Sequence, residues 1–258
     1  MAKDIERLSG KSAIITGAGH GIGKAIALRL GEAGADLVLG DIDGEAVEAT
    51  AETIRGWGRD VVTRVGSVTE EDGANALAGA ALERFGKIDI LINNVGGAGR
   101  GKLLEMTLPE FEEALKLNLV STFLCTRAVA ANMIERKTGS IVCVSSGAKE
   151  GVPWLSSLAG ATGYATGKAG IIGFVRELAF QLGDHGVRIN AMAVGAVNTE
   201  RAGPFFDKLN ESYPLSPKVL VPLHRVAEPV EIANTALFLA SDESSYITGT
   251  TVNVNGGR

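Results

Sequence analysis

The sequence predicts a doubly wound α/β domain, a seven-stranded parallel sheet with helices on both faces. Short β-branched runs alternate with longer segments of helical period, the pattern that calls for a parallel sheet covered on both sides. Glycine makes up 34 of the 258 residues, nearly twice the roughly 7% of an average protein, so many tight turns or close backbone approaches are required. With 45% hydrophobic and 21% charged residues, the chain can bury a substantial core within a single domain spanning residues 1–258.

The elements follow in order. Ser12–Thr16 reads as the first strand, Gly21–Ala33 as a helix and Asp36–Asp41 as the second strand. Glu45–Trp57 is helical, Val61–Val65 is the third strand and Glu70–Phe85 a helix. Gly86 and Lys87 turn the chain into a fourth strand, Ile88–Asn93. Pro109 suits the first turn of a helix running to about Arg136. Ser140–Val144 is the fifth strand, and an irregular Gly/Ser/Pro/Trp loop follows it. Gly163–Gly183 is helical, Val187–Val194 the sixth strand, Glu228–Ala240 helical and Thr251–Val254 the seventh strand. Residues 198–225, with several prolines and Phe205, Phe206 and Tyr213, form a long irregular stretch of the kind that serves as a lid over a substrate.

Composition excludes several classes. The net charge of −5 offers no basic field to a polyanion, so no nucleic-acid partner is expected. Uninterrupted apolar stretches such as Ala169 to Val175 fall far short of the roughly 18 residues that span a bilayer, and no membrane partner is expected. Met1 to Arg7 mixes charges where a signal peptide needs an apolar core, so a cytoplasmic location is expected. Cys125 and Cys143 lie in apolar segments without C-x-x-C spacing, and His20, His185 and His224 are scattered. Buried thiols are expected rather than a disulfide framework or a metal site.

The chemistry concentrates at strand ends. Gly17, Gly19, Gly21 and Gly23, with His20 and Ile22 between them, sit where the first strand turns into the first helix. There, backbone approaches a pyrophosphate closely, and free N–H groups with the positive end of the helix dipole meet its charge. This strand-to-helix context is the one a dinucleotide fingerprint requires. The second strand ends at Asp41, at the spacing of a carboxylate that accepts from both adenosine ribose hydroxyls. A 2′-phosphate would face like charge there, and the loop offers His20 where an Arg or Lys is wanted, so NAD is expected over NADP. Asp43 is the better candidate for capping the next helix. Tyr164 and Lys168 stand at i and i+4 on one helix face. A tyrosine of reference pKa near 10 becomes a base at neutral pH only when it is lowered by about 2 to 3 units, roughly 3 to 4 kcal/mol of phenolate stabilisation. Lys168 and an oxidised nicotinamide are the expected sources.

With Asn93-Asn94-Val95-Gly96 after the fourth strand, Asn118 within Lys116 to Leu119, Val144-Ser145-Ser146-Gly147 after the fifth strand and the ending from Pro222 to Gly249, nearly the whole chain resembles the short-chain dehydrogenase/reductases. The resemblance implies a single-domain Rossmann fold, a homo-oligomer and nicotinamide-dependent oxidation or reduction at a carbon bearing oxygen. By matching motif it implies Tyr164 as general acid/base and Ser146 as hydrogen-bond partner of the substrate oxygen. Lys168 would hold the nicotinamide ribose and lower the Tyr164 pKa, with Asn118 supporting a water-linked relay to it. Asn94 and Gly96 would line the adenosine side, Ser67 and Val68 would stand at the adenine, and Val197 and Thr199 would grip the carboxamide. The chain departs from the family pattern in its 18-position separation of Ser146 and Tyr164. It also has Ser67 for an aspartate, Val194 for a proline, Val95 for an alanine and Asn255 for an aspartate.

The expected activity is hydride transfer between NAD(H) and a secondary alcohol or ketone. A 3-oxoacyl-carrier-protein reductase is the second enzymatic reading, opposed by Asp41 and by the lack of fixed positive charge around Asp184-His185. A non-catalytic dinucleotide sensor is the third, and loss of Tyr164 or Lys168 would be its mark. Small residues along the helices at 109–136 and 163–183 favour close subunit packing and a homotetramer. Trp154, Leu155, Phe205, Phe206 and Tyr213 point to a largely uncharged, partly apolar small-molecule substrate, with Arg100 and Lys102 assigned to a solvated loop.

Overall fold

The computed structural model describes residues 7–98, 101–158 and 160–258; Arg100 lies outside the described residues, as does the side chain of Ser157. β1 (Ser12–Thr16), β2 (Asp36–Asp41), β3 (Val61–Val65), β4 (Ile90–Asn93), β5 (Gly139–Ser146), β6 (Val187–Val194) and β7 (Thr251–Val254) form one sheet in the order β3-β2-β1-β4-β5-β6-β7. Every neighbouring pair is parallel. The carboxyl ends of all seven strands therefore share one edge, and the order reverses between β1 and β4, where ligands of such sheets bind.

Alternation along the strands builds two cores. Ala13 and Ile15 face one side with Leu37 and Leu39, against α1 (Gly21–Glu32), α2 (Gly44–Arg55) and the long C-terminal helix at Pro229–Ala240. Ile14 and Val38 face the other side, against α3 (Glu71–Phe85), the helix at Ser121–Arg136 and the helix at Thr162–Gly183. Five of the seven strands carry the boundaries expected from sequence; among them β1 and β2, buried along nearly their whole length, read as near-continuous apolar runs.

The differences lie in the connections. The segment from Leu108 to Arg136 is not one α-helix: α4 (Leu108–Leu115) passes through a π-turn at Lys116–Val120 into α5 (Ser121–Arg136). Asn118 Nδ2 donates to the Ala114 carbonyl at 2.9 Å, the acceptor that Asn118's own N–H would use in a regular α-helix. The combined segment is long and apolar enough to cross a bilayer by length and composition, but Leu124, Cys125, Val129 and Met133 are buried against the sheet. β5 extends two residues further than expected, to Ser146, because its last residues continue to pair with β6. The loop after it holds a short 3₁₀ turn at Gly147–Glu150 and α6 (Pro153–Leu158), before α7 (Thr162–Gly183). The stretch expected to be irregular at 198–225 contains α8 (Gly203–Ser212) and α9 (Pro217–Leu220), ahead of α10 (Pro229–Ala240). Pro204 and Pro217 occupy first-turn positions of these helices, where a proline starts a helix rather than breaking it. Cys125 and Cys143 are free and buried, and burial pushes both thiols up to about 12.

Asp89, only 6% exposed, ties the opposite edge of the sheet together. Its carboxylate accepts from the Ser12 N–H at 2.9 Å and from Arg136 Nη2 at 2.6 Å, with Lys87 Nζ at 3.2 Å. Burial raises its pKa, but Arg136, the Ser12 N–H and Lys87 outweigh burial and leave it below the ordinary 3.8. A lowered carboxylate stabilises the fold above its unfolded pKa, and the contribution is lost as pH falls through the folded value. Asp89→Asn is expected to cost about 2 kcal/mol at pH 7. Urea unfolding should show the deficit shrinking as pH drops below the ordinary carboxylate value.

Candidate active site

The glycine turn is built by close approach. Gly17 has φ +66°, and a Cβ on Gly23 would lie 1.8 Å from the Gly17 carbonyl oxygen, so α1 can start this near β1 only with glycine at that position. Asn94, at the end of β4, closes the turn from the other side. Its Nδ2 donates to the Thr16 and Gly17 carbonyls at 3.0 and 3.1 Å, and its backbone N–H donates to Thr16 Oγ1 at 3.0 Å. The cradle a Cβ would fill suits the pyrophosphate of a dinucleotide. Asp41 takes the Gly19 N–H on Oδ2 at 2.8 Å and the Asp43 N–H on Oδ1 at 3.1 Å. Asp43 caps α2 by accepting from the Ala46 N–H, as the sequence indicates. The exposed His20 ring turns away from the loop to Asp43 Oδ2, 2.9 Å distant, so only its backbone faces the turn, and Ile22 packs into the core.

Other predicted cofactor residues divide. The backbone N–H of Gly66 donates to the Asp41 carbonyl, which brings the Ser67 segment beside β2. The Ser67 hydroxyl, however, pairs with Thr69 Oγ1 at 2.9 Å, and Val68 is buried in the core. Thr199 lies over the loop, 3.1 Å from where a Gly21 Cβ would stand, while buried Val197 pairs with Ala227. One contact was not legible in sequence: Glu200 accepts from the Gly21 N–H at 3.2 Å, placing a carboxylate at the first turn of α1.

A second cluster gathers Gly96, Asn118 and Lys168. Asn118, fully buried, exchanges hydrogen bonds with the Gly97 backbone, its Oδ1 taking the N–H and its Nδ2 reaching the carbonyl, both at 3.1 Å. Asn118 Oδ1 and Lys168 Nζ each lie 2.7 Å from where a Gly96 Cβ would be, so that glycine keeps the space between amide and ammonium open. Lys168 is 4% exposed, donates to the Val144 carbonyl at 2.7 Å, and is pulled down by burial to about 8.

One helical turn earlier, burial raises the half-buried Tyr164 phenol above its usual value, against the opposing effect of a hydrogen bond to Ser146. Burial therefore favours the neutral phenol, while the Ser146 hydrogen bond favours its ionised form. Ser146 also accepts from the Ala148 N–H at 3.1 Å. Its neighbour Ser145 points to the far side, where its hydroxyl donates to the Lys168 carbonyl at 2.7 Å. Ser156 is exposed on α6. Around Tyr164 packs a third apolar cluster that includes Trp154, Leu155, Phe206, Leu209 and Tyr213. The Trp154 and Phe206 rings meet edge to face at 6.4 Å, joining α6 to α8.

A turn shaped for a dinucleotide and a hydroxyl–phenol pair beside a buried lysine, on one edge of a parallel sheet, define an oxidoreductase of the Rossmann type. Residues 17–258 match the family model described as enoyl-(acyl carrier protein) reductase. The (2S)-[(R)-hydroxy(phenyl)methyl]succinyl-CoA dehydrogenase subunit BbsD of Thauera aromatica is 38% identical over 251 residues, 97% of each chain. The 3-oxoacyl-[acyl-carrier-protein] reductase FabG of Thermotoga maritima is 36% identical over 97% of this chain and 98% of its own. A solved structure of 7α-hydroxysteroid dehydrogenase, complexed with NADH and 7-oxo glycochenodeoxycholic acid, superposes with a TM-score of 0.87. It is 34% identical and covers 100% of this chain and 97% of that one. The chain belongs to the short-chain dehydrogenase/reductase family, whose members bind nicotinamide dinucleotides.

The depressed Lys168 carries a stability consequence. Unfolded, the ammonium holds its proton up to about 10.5, and folded only to about 8. The unfolded state therefore binds more protons across that window, and stability rises with pH through it. Lys168→Met is expected to unfold at higher temperature than the wild type at pH 7, by about 1 to 2 kcal/mol in stability. Calorimetry should show the advantage fading toward pH 10.

Proposed function

We propose that the chain transfers a hydride between NAD(H) and a secondary alcohol or its ketone, with Tyr164 as general acid/base. The observation that carries this reading is the hydrogen-bonded pair of Ser146 and Tyr164 with buried Lys168 one helical turn on. Ser146 and Tyr164 together hold the substrate oxygen. In the reductive direction Tyr164 gives its proton to that oxygen, and in the oxidative direction it removes the hydroxyl proton. The nicotinamide supplies or accepts the hydride when bound. Lys168 holds the nicotinamide ribose, and Asn118 supports a water-linked path that restores the proton. Asp41 keeps lone pairs free for both ribose hydroxyls beyond the two backbone N–H groups it already accepts. The turn from Gly17 to Gly23 would hold the pyrophosphate, Ser67 and Val68 would stand at the adenine, and Val197 and Thr199 would grip the carboxamide.

Residues 198–225 act as the lid in this reading. α8 lays Phe206 against Trp154 beside Tyr164, which excludes water from the path of the hydride. The resemblance to FabG favours a 3-oxoacyl thioester as the second substrate class, and Asp41 opposes NADPH as its cofactor here. We also propose a homotetramer, for which Phe123 and Phe180, exposed on α5 and α7, offer apolar contact.

Tyr164→Phe is expected to lower kcat by about 10² to 10⁴ while leaving the Kd for NADH within twofold in a fluorescence titration. Near-native turnover across cyclic alcohols, diols and hydroxyacyl thioesters would overturn the assignment.

The kcat/KM for NAD should exceed that for NADP at least tenfold, about 1.4 kcal/mol. Asp41→Ser should narrow the ratio, and a wild-type preference for NADP would defeat the ribose argument.

A further inference from the structure

The wall that carries Ser146 also carries a cation from the far end of the chain. Gly256 and Gly257 leave β7 with φ +70° and +97° and turn the backbone back toward the sheet edge. Asn255 fixes the turn: its Oδ1 accepts from the Gly257 N–H at 3.2 Å and its Nδ2 donates to the Arg258 carbonyl. The Arg258 guanidinium lies over the Trp154 ring, 4.7 Å from its centroid, and its Nη2 donates to the Gly151 carbonyl. Its Nη1 is 3.7 Å from where a Cβ on Gly147, the residue after Ser146, would stand.

Among the described residues no carboxylate forms an ion pair with Arg258; Glu150, the acid whose field it feels, is held by Lys149. Burial lowers the guanidinium's pKa below its ordinary value, so the group is partly stripped of water. A planar guanidinium with one face on an indole and one nitrogen anchored to a backbone carbonyl keeps further N–H donors suited to a carboxylate.

We propose that Arg258 reads an anionic group of the substrate, a carboxylate carried on an apolar body away from the reacting hydroxyl or carbonyl. The proposal rests on the reading of Ser146 and Tyr164 as the substrate side of the site. It replaces the largely uncharged, partly apolar substrate expected from sequence with an anionic, amphipathic one: Trp154, Leu155 and Phe206 take the body and Arg258 the charge. Its geometry is fixed from three directions, by the Trp154 face, the Gly151 carbonyl and the Asn255 turn. The side chain is therefore preorganised, and little rotamer freedom is lost when an anion arrives.

Trp154 reports on this site directly. Trp57→Phe leaves it as the sole tryptophan of the chain. In that background, with NAD at saturation, cyclohexanecarboxylate and benzoate are titrated against their amides, none of which has an alcohol to oxidise. Each carboxylate is expected to reach half-saturation of the Trp154 emission change at a concentration at least tenfold below its amide. Arg258→Ala should erase the difference and Arg258→Lys should keep part of it. Equal response to acid and amide, no saturable carboxylate signal, or a preference that survives Arg258→Ala would overturn the proposal. The readout needs no turnover, so failure here leaves the Tyr164 assignment standing, and failure of Tyr164→Phe to lose activity leaves this result intact.

Discussion

The approach of α1 to β1 through Gly23 and Gly17 is the constraint on which the rest of the site depends. A Cβ at Gly23 would meet the Gly17 carbonyl at 1.8 Å and Asn94 Nδ2 at 2.5 Å. Neither neighbour can retreat: the carbonyl belongs to the chain leaving β1, and the amide spans two carbonyls of that same turn. The contact therefore fixes the direction of α1, the separation of β1 and β4 at the point where the sheet order reverses, and the course of the chain beyond Asn94. Gly96 and Gly97 follow at once, and through Asn118 they set the π-turn between α4 and α5. One close contact at the start of the chain thus propagates, by backbone hydrogen bonds, to the cluster that surrounds Lys168.

Lys168 links that cluster to the substrate side. Its ammonium reaches back to Val144 on β5, its carbonyl takes the Ser145 hydroxyl, and the next residue of β5, Ser146, pairs with Tyr164. The two serines alternate across the strand, one reaching the Lys168 carbonyl and the other the Tyr164 phenol, as the period of a β-strand requires. A one-residue slip of β5 would exchange them and remove the hydroxyl from the phenol. The eight-residue pairing of β5 with β6, longer than the sequence pattern implied, guards against that slip.

Legibility in the sequence followed the range of the interactions. Five of the seven strands came out with their boundaries because each is a short run bounded by turn residues, and the glycine turn, Asp41, Asp43, Tyr164 and Lys168 are recognisable from spacing inside one or two elements. The π-turn was missed because it arises from one side chain, Asn118, competing for the Ala114 carbonyl, and apolar periodicity across 109–136 is indifferent to it. α6, α8 and α9 were missed because they are short and start at prolines, so breaker residues concealed them; a proline at a first-turn position was the available signal. Glu200 on Gly21 and Arg258 on Trp154 join residues 179 and 104 positions apart. Nothing local marks either contact, and an inventory of charges near the predicted walls could not include Arg258.

The opposite shifts of Tyr164 and Lys168 have one cause. Burial penalises charge of either sign, raising the phenol and lowering the ammonium. The pocket thus holds both groups toward their neutral forms, and the Ser146 hydrogen bond is the local effect that opposes this for the phenol. In such surroundings a charge placed nearby acts with little screening, at an effective dielectric far below that of water. The same low polarity that hinders Tyr164 from ionising unaided makes its ionisation responsive to any cation brought alongside. Arg258 stands at the edge of this region, where Trp154 shields one face. The charge can be kept there because the guanidinium remains partly exposed, whereas full burial without a partner would cost several kcal/mol.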